Sequence, residues 1–216
     1  MMYRFAGKAD SFLTEGTTNF VFVNNTMKED FSLPIRNMII TGLFSALLAV
    51  SSQIFIPGPV PHTLQTFVVL LTGVILGPRW GAASIIVWIL LGVFGLPVFA
   101  QGKAGIAVLA GPTGGFLLGF ILCAWLTGSI IIKRELSYLG MLSIMLTGLA
   151  VIYAVGLVGF MASFAWFLHK PMTWEQAAAV SVLPFLPFDI VKAAAAAYLG
   201  VRLRRTLHKA GLSFTQ

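Results

Sequence analysis

One cysteine, three histidines and seven acidic residues are all that 216 positions hold of these types, and each scarcity closes off a class of chemistry. Cys123 stands without a partner in the apolar run FLLGFILCAWLTG, which excludes disulfides and thiolate metal sites and leaves packing as its role. His62, His169 and His208 are scattered and make no HExxH or comparable spacing, so they read as interfacial residues and no metal is expected. A GxSxG elbow, a paired-carboxylate spacing and any other nucleophile and base set are missing, which argues against an enzyme and against a bound cofactor. A GxxxxGK(S/T) phosphate loop is missing too, so any ATP-driven step needs another chain. Charged residues make up only 10% against 58% hydrophobic, which excludes an ordinary soluble domain.

What is present is a series of apolar runs edged by basic residues. The net charge of +7 comes from short clusters flanking those runs, the pattern of a membrane protein with its positive residues inside, and no nucleic-acid partner is expected. The reading is an all-α membrane protein, a bundle of six transmembrane helices with an outer loop lid and both termini cytosolic. Residues 1–33 form a mobile cytosolic tail with no cleavable signal peptide, and Met27 and Met38 offer later starts. Residues 34–208 form the membrane domain and 209–216 a short tail. The spans are expected over residues 35–56, 64–76, 81–96, 116–132, 139–168 and 184–205, with cell-membrane lipid around them.

The connections carry information as well. The proline-rich stretch 57–63 stops the first helix, because proline removes a backbone donor and fixes φ. Residues 96–115 are too rich in glycine to cross lipid and fit a loop folded back over a cavity. The turn Gly77-Pro78-Arg79-Trp80 separates two short spans, and residues 169–176 read as a polar connection without chemistry. In the first span Gly42, Ser45, Ala46 and Ala49 are small residues at offsets of 3 and 4, which lets another helix approach closely, either inside the bundle or from a partner.

Two charges stand out inside the last span, PFLPFDIVKAAAAAYLGVRLRR. Lys192 lies roughly 15 Å along a helix from Arg202, about half the hydrocarbon thickness. Asp189 and Lys192, three residues apart, share a face and can neutralise one another. Such a pair is either a packing lock or a polar ligand site, and intramembrane ionisable groups favour the second. Pro184 and Pro187 suit a helix start, which puts Asp189 in the positively polarised first turn. Gln101 and Thr113 add neutral donors and acceptors, and Trp88 and Phe99 apolar walls, to complete a small-molecule pocket.

Five ordered motifs extend this reading: Gln53-x-x-x-Pro-x-Pro-Val-Pro-x-Thr-x-Gln65, Leu71-x-Gly-x-x-x-Gly-Pro-Arg79 with Gly81, Gly95-Leu-Pro-Val-Phe99, Gly111-Pro-Thr-Gly-Gly115 and Pro187-x-Asp189-x-x-Lys192. Together, over roughly residues 36–205, they resemble the BioY family, the biotin-specific substrate-binding (S) components of energy-coupling factor (ECF) transporters. The resemblance implies a six-helix bundle that captures biotin from outside and works with a transmembrane coupling protein (T component) and two ABC-type ATPases. It implies that Asp189 and Lys192 contact biotin's polar groups, that the glycine-rich loop encloses it, and that Gly42, Ala46 and Ala49 face the coupling protein. The alternatives are an S component for another vitamin, or a membrane enzyme or assembly factor that uses Asp189 as a proton carrier.

Overall fold

The computed structural model describes residues 35–57, 60–131 and 137–210. The chain divides into two units, Met1–Ile39 and Ile40–Gln216. Of the first, residues 35–39 are described and are helical. The tail expected over 1–33, nearly all of the tail after 208, and the flanking cations Lys28, Lys133 and Arg134 lie outside the described residues.

The helices are α1 (Ile35–Gln53), α2 (Gln65–Val93), α3 (Ala107–Ala110), α4 (Gly114–Ile131), α5 (Tyr138–Trp166), α6 (Trp174–Ser181) and α7 (Leu186–Lys209). Helices α1, α2, α4 and α5 are each long and apolar enough to cross a membrane, and α6 with α7, bent by 54°, make a fifth candidate span. The protein is therefore a helical membrane protein, with one addition to the all-α expectation. Strands β1 (Phe55–Ile56) and β2 (His62–Thr63) pair antiparallel, so the first helix ends at Gln53 and not at Ile56. The residues after it gain inter-strand hydrogen bonds instead of continuing the helix.

The long α2 is not one straight rod. Gly77 has φ 76° and ψ −174°, a left-handed backbone open to glycine at little cost, and Pro78 follows at the start of the second half, where its missing N–H has no helical partner to lose. In a straight helix residues 73 and 81 lie about 12 Å apart. Here a Cβ on Gly81 would stand 3.2 Å from the Cα of Gly73, so the chain doubles back and the two halves run side by side. The Gly-Pro turn of the sequence is a hairpin between helices.

In lipid there is little hydrophobic force between helices, and close backbone approach supplies van der Waals contact instead. Helix α4 uses this at both ends. Gly115 lies directly against Gly159 of α5, and Gly128 lies against the backbone of Gly77 and Pro78. On α1, Ser45 is buried and its hydroxyl donates to the Ser84 carbonyl at 2.7 Å, so it packs inward against α2. Gly42 and Ala46 are exposed, whereas Ala49 is half-buried and packs on the core. The four small residues thus divide between an inner and an outer face.

Helix α6 occupies part of the stretch read as a plain polar connection. Its start is a reciprocal cap: Thr173 Oγ1 accepts from the Gln176 N–H and the Gln176 side chain accepts from the Thr173 N–H. Helix α7 begins at Leu186, two residues later than expected, with Pro187 in its first turn.

Candidate functional site

Three helices begin at one end of the second unit. The starts of α2 at Gln65, α4 beside Thr113 and α7 at Leu186 surround a cavity of about 740 Å³, its open mouth included. Helix N-termini carry partial positive charge, so this end favours acceptor atoms and anions.

Asp189 is 4% exposed, in the first turn of α7. Lys192 donates to its Oδ1 at 2.7 Å, the ion pair that the three-residue spacing called for. The Tyr153 hydroxyl, from α5, donates to Oδ2 at 2.7 Å. Lys192 also donates to the Thr63 carbonyl at 2.7 Å, which ties the β2 strand to α7. A buried pair of this kind is costly unless its remaining lone pairs and protons are satisfied. Two of the three ammonium donors are used, and each carboxylate oxygen accepts one bond, so both groups keep capacity toward the cavity.

The loops close over the pair. His62 stacks on Phe185 with ring centroids 3.7 Å apart and its Nε2 lies 3.1 Å from the Pro184 carbonyl. Thr63 Oγ1 donates to Gln65 Oε1 at 2.8 Å and accepts from the Gln65 N–H at 3.3 Å, which holds the turn into α2. On the opposite loop, Trp88 Nε1 donates to the Val98 carbonyl at 3.0 Å and its ring meets Phe99 edge-on at 5.4 Å. The Phe99 ring fills the space beside Gly92 that a side chain there would take. Gln53 of α1 donates to the Phe99 carbonyl at 3.1 Å.

Of the residues proposed from sequence, Trp88, Phe99, Thr113, Asp189 and Lys192 all line the cavity. Gln101 does not. It sits in the 3-10 turn Ala100–Gly102 with φ 64°, and its neighbours Ala100 and Lys103 line the cavity instead. The left-handed backbone at Gln101 turns the chain at that point, so residues on either side reach the wall. Sequence reasoning did not reach Tyr153, Gln65, Lys103 or the Thr63 carbonyl. A phenol within the apolar run of α5 and a buried Gln at a helix start were readable signals, since both need hydrogen-bond partners. A backbone carbonyl leaves no trace in a sequence.

The comparisons with known proteins point one way. The model of the BioY family matches residues 24–209. The biotin transporter BioY of Thermotoga maritima is 42% identical over 172 residues, covering 79% of this chain and 97% of its own. A probable biotin transporter BioY of Pyrococcus horikoshii is 39% identical over 170 residues, covering 78% of this chain and 96% of its own. In structure, the chain is similar to the crystal structure of the S component for biotin from an ECF-type ABC transporter, with a TM-score of 0.70 and 26% identity, over 80% of this chain and 92% of the other. The charged pair in a cavity between helix starts is therefore found in a chain that belongs to the BioY family.

Proposed function

We propose that this protein takes up biotin across the cell membrane, as the substrate-binding component of an ECF-type transporter. The observation that carries the reading is the buried Asp189–Lys192 pair, fastened by Tyr153 and Thr63 at the cavity end of a chain whose relatives are named biotin transporters. The protein is a multi-pass membrane protein and a transport component, not an enzyme.

Six crossings fit the chain better than five. Helix α2 counts twice because it reverses at Gly77, and each half, shorter than the ~20 residues of a full crossing, is completed by the loops at its cavity end. The cavity then opens outward. Arg79, Arg202, Arg204, Arg205 and Lys209 belong to the opposite, cytosolic side, and an even number of crossings returns both ends of the 34–208 domain there.

Biotin's ureido ring, with two N–H donors and a carbonyl, matches a carboxylate that accepts and an ammonium that donates. Trp88, Phe99, Phe116 and Phe120 offer apolar surface to the thiophane ring and the valeryl chain. Its carboxylate then points to Lys103, the cation of the loop wall, and to the N-terminus of α4 by Thr113. No cofactor is needed, because biotin is cargo. Energy comes from two ABC-type ATPases through a coupling protein, and it is the coupling protein that meets the exposed Gly42 and Ala46 of α1 and the half-buried Ala49 beside them.

The deciding experiment is equilibrium binding of biotin, riboflavin and thiamine to the purified, detergent-solubilised protein. Biotin is expected to bind alone of the three. Binding of a different vitamin, or of none, overturns the assignment.

A further inference from the structure

Tyr153 stands in α5 among aliphatic and small residues, in the run GLAVIYAVGLVGF. A phenol placed there for bulk alone would be replaced by phenylalanine at no loss, because a buried hydroxyl costs free energy unless it is bonded. Its bond goes to the Oδ2 of Asp189, and its ring lines the cavity beside that carboxylate. Lys192 reaches the other oxygen from one turn further along α7. The two donors come from different helices, so together they fix the plane of the carboxyl group and the direction of the lone pairs still open. Lys192 alone would leave the carboxylate free to turn about its last torsion, which is a soft one.

Building on the biotin reading above, we propose that Tyr153 is a positioning residue for ligand recognition. It sets the Asp189 carboxylate so that an open lone pair faces the cavity, where it accepts an N–H of the ureido ring. Tyr153 itself acts through Asp189 and not by its own contact with the ligand.

The test is a double-mutant cycle on biotin affinity in detergent, with wild type, Tyr153→Phe, Asp189→Asn and the doubly substituted chain. Tyr153→Phe is expected to weaken binding about tenfold, or 1.4 kcal/mol. In the Asp189→Asn background the same change is expected to cost no more than about twofold, the spread within which independent effects add. Multiplying losses would overturn the proposal in favour of direct contact. Affinity unchanged in Tyr153→Phe, with wild type binding biotin normally, would overturn it in favour of packing. Melting temperatures are read alongside, and loss of fold by the phenylalanine variants would likewise make Tyr153 a packing residue. If wild type binds no biotin, the parent assignment falls first and this proposal with it.

Discussion

Helix α7 carries two partly buried cations, and they are satisfied in opposite ways. Lys192, near its start, meets a side-chain carboxylate and one carbonyl. Arg204, about 18 Å further along the axis, donates to the carbonyls of Val74 at 2.9 Å and Ile131 at 3.4 Å. Val74 lies in the last turn of the first half of α2, where unpaired C=O groups accumulate partial negative charge, and Ile131 is the last described residue of α4. Arg204 is therefore met by backbone that exists whenever the helices exist. Lys192 is met by a side chain, at the wall of a cavity that a ligand can enter. The contrast separates a cation held by backbone from one held by a side chain at a cavity wall, although both are half-buried.

The largest expected break in this contrast is Asp189→Asn. It leaves the Lys192 charge without its counter-ion, and biotin binding in detergent is expected to fall at least tenfold, about 1.4 kcal/mol or more. Retained affinity would move Asp189 out of the site. At the other end, Arg204→Ala removes the donor shared by the Val74 and Ile131 carbonyls. A cost of about 1–3 kcal/mol in stability is expected from the unmet carbonyls, seen as a lower melting temperature with biotin affinity unchanged. Arg204→Lys is expected to recover only part of it, since one ammonium does not reproduce the planar fork that spans both carbonyls. Equal melting of wild type and Arg204→Ala would make the contrast one of position only.

The smallest effect belongs to Lys103, an exposed cation at the cavity wall. Lys103→Ala is expected to weaken biotin by about two- to fivefold, the range of a screened surface pair, and less so at high salt. No change, or a loss as large as that of Asp189→Asn, would reverse the orientation assigned to the ligand.

How far the sequence spoke depends on whether the partner was local. Asp189 and Lys192 are one helical turn apart, so their pairing follows from spacing alone. Gly77-Pro78 is a local break, and the hairpin follows from it. Tyr153 and Asp189 are 36 residues apart, and Arg204 and Val74 are 130 apart. Those meetings depend on the order in which helices stack, and apolar spans with interchangeable faces do not encode that order legibly. Ser45 shows the same limit: its spacing allowed a neighbour inside the bundle or a partner outside it, and only its bond to the Ser84 carbonyl shows that it faces inward. Gln101 was chosen for its chemistry, whereas its backbone angle decides what it does.

The glycine contacts of α4 bear on how this pocket can be redesigned. Phe116, Leu117 and Phe120 form the wall that α4 contributes. That wall is pressed backbone to backbone on α5 at one end and on the Gly77 hairpin at the other, so it has nowhere to retreat. The wall residues Val60, Pro61, Thr63, Phe99, Ala100 and Lys103 lie instead outside the long helices, in segments held by a few hydrogen bonds. An engineer seeking room for a bulkier vitamin should therefore carve the loops and leave the α4 aromatics alone. Natural drift in substrate range is expected to follow the same line, with loop sequences diverging around an α4 surface that stays as it is.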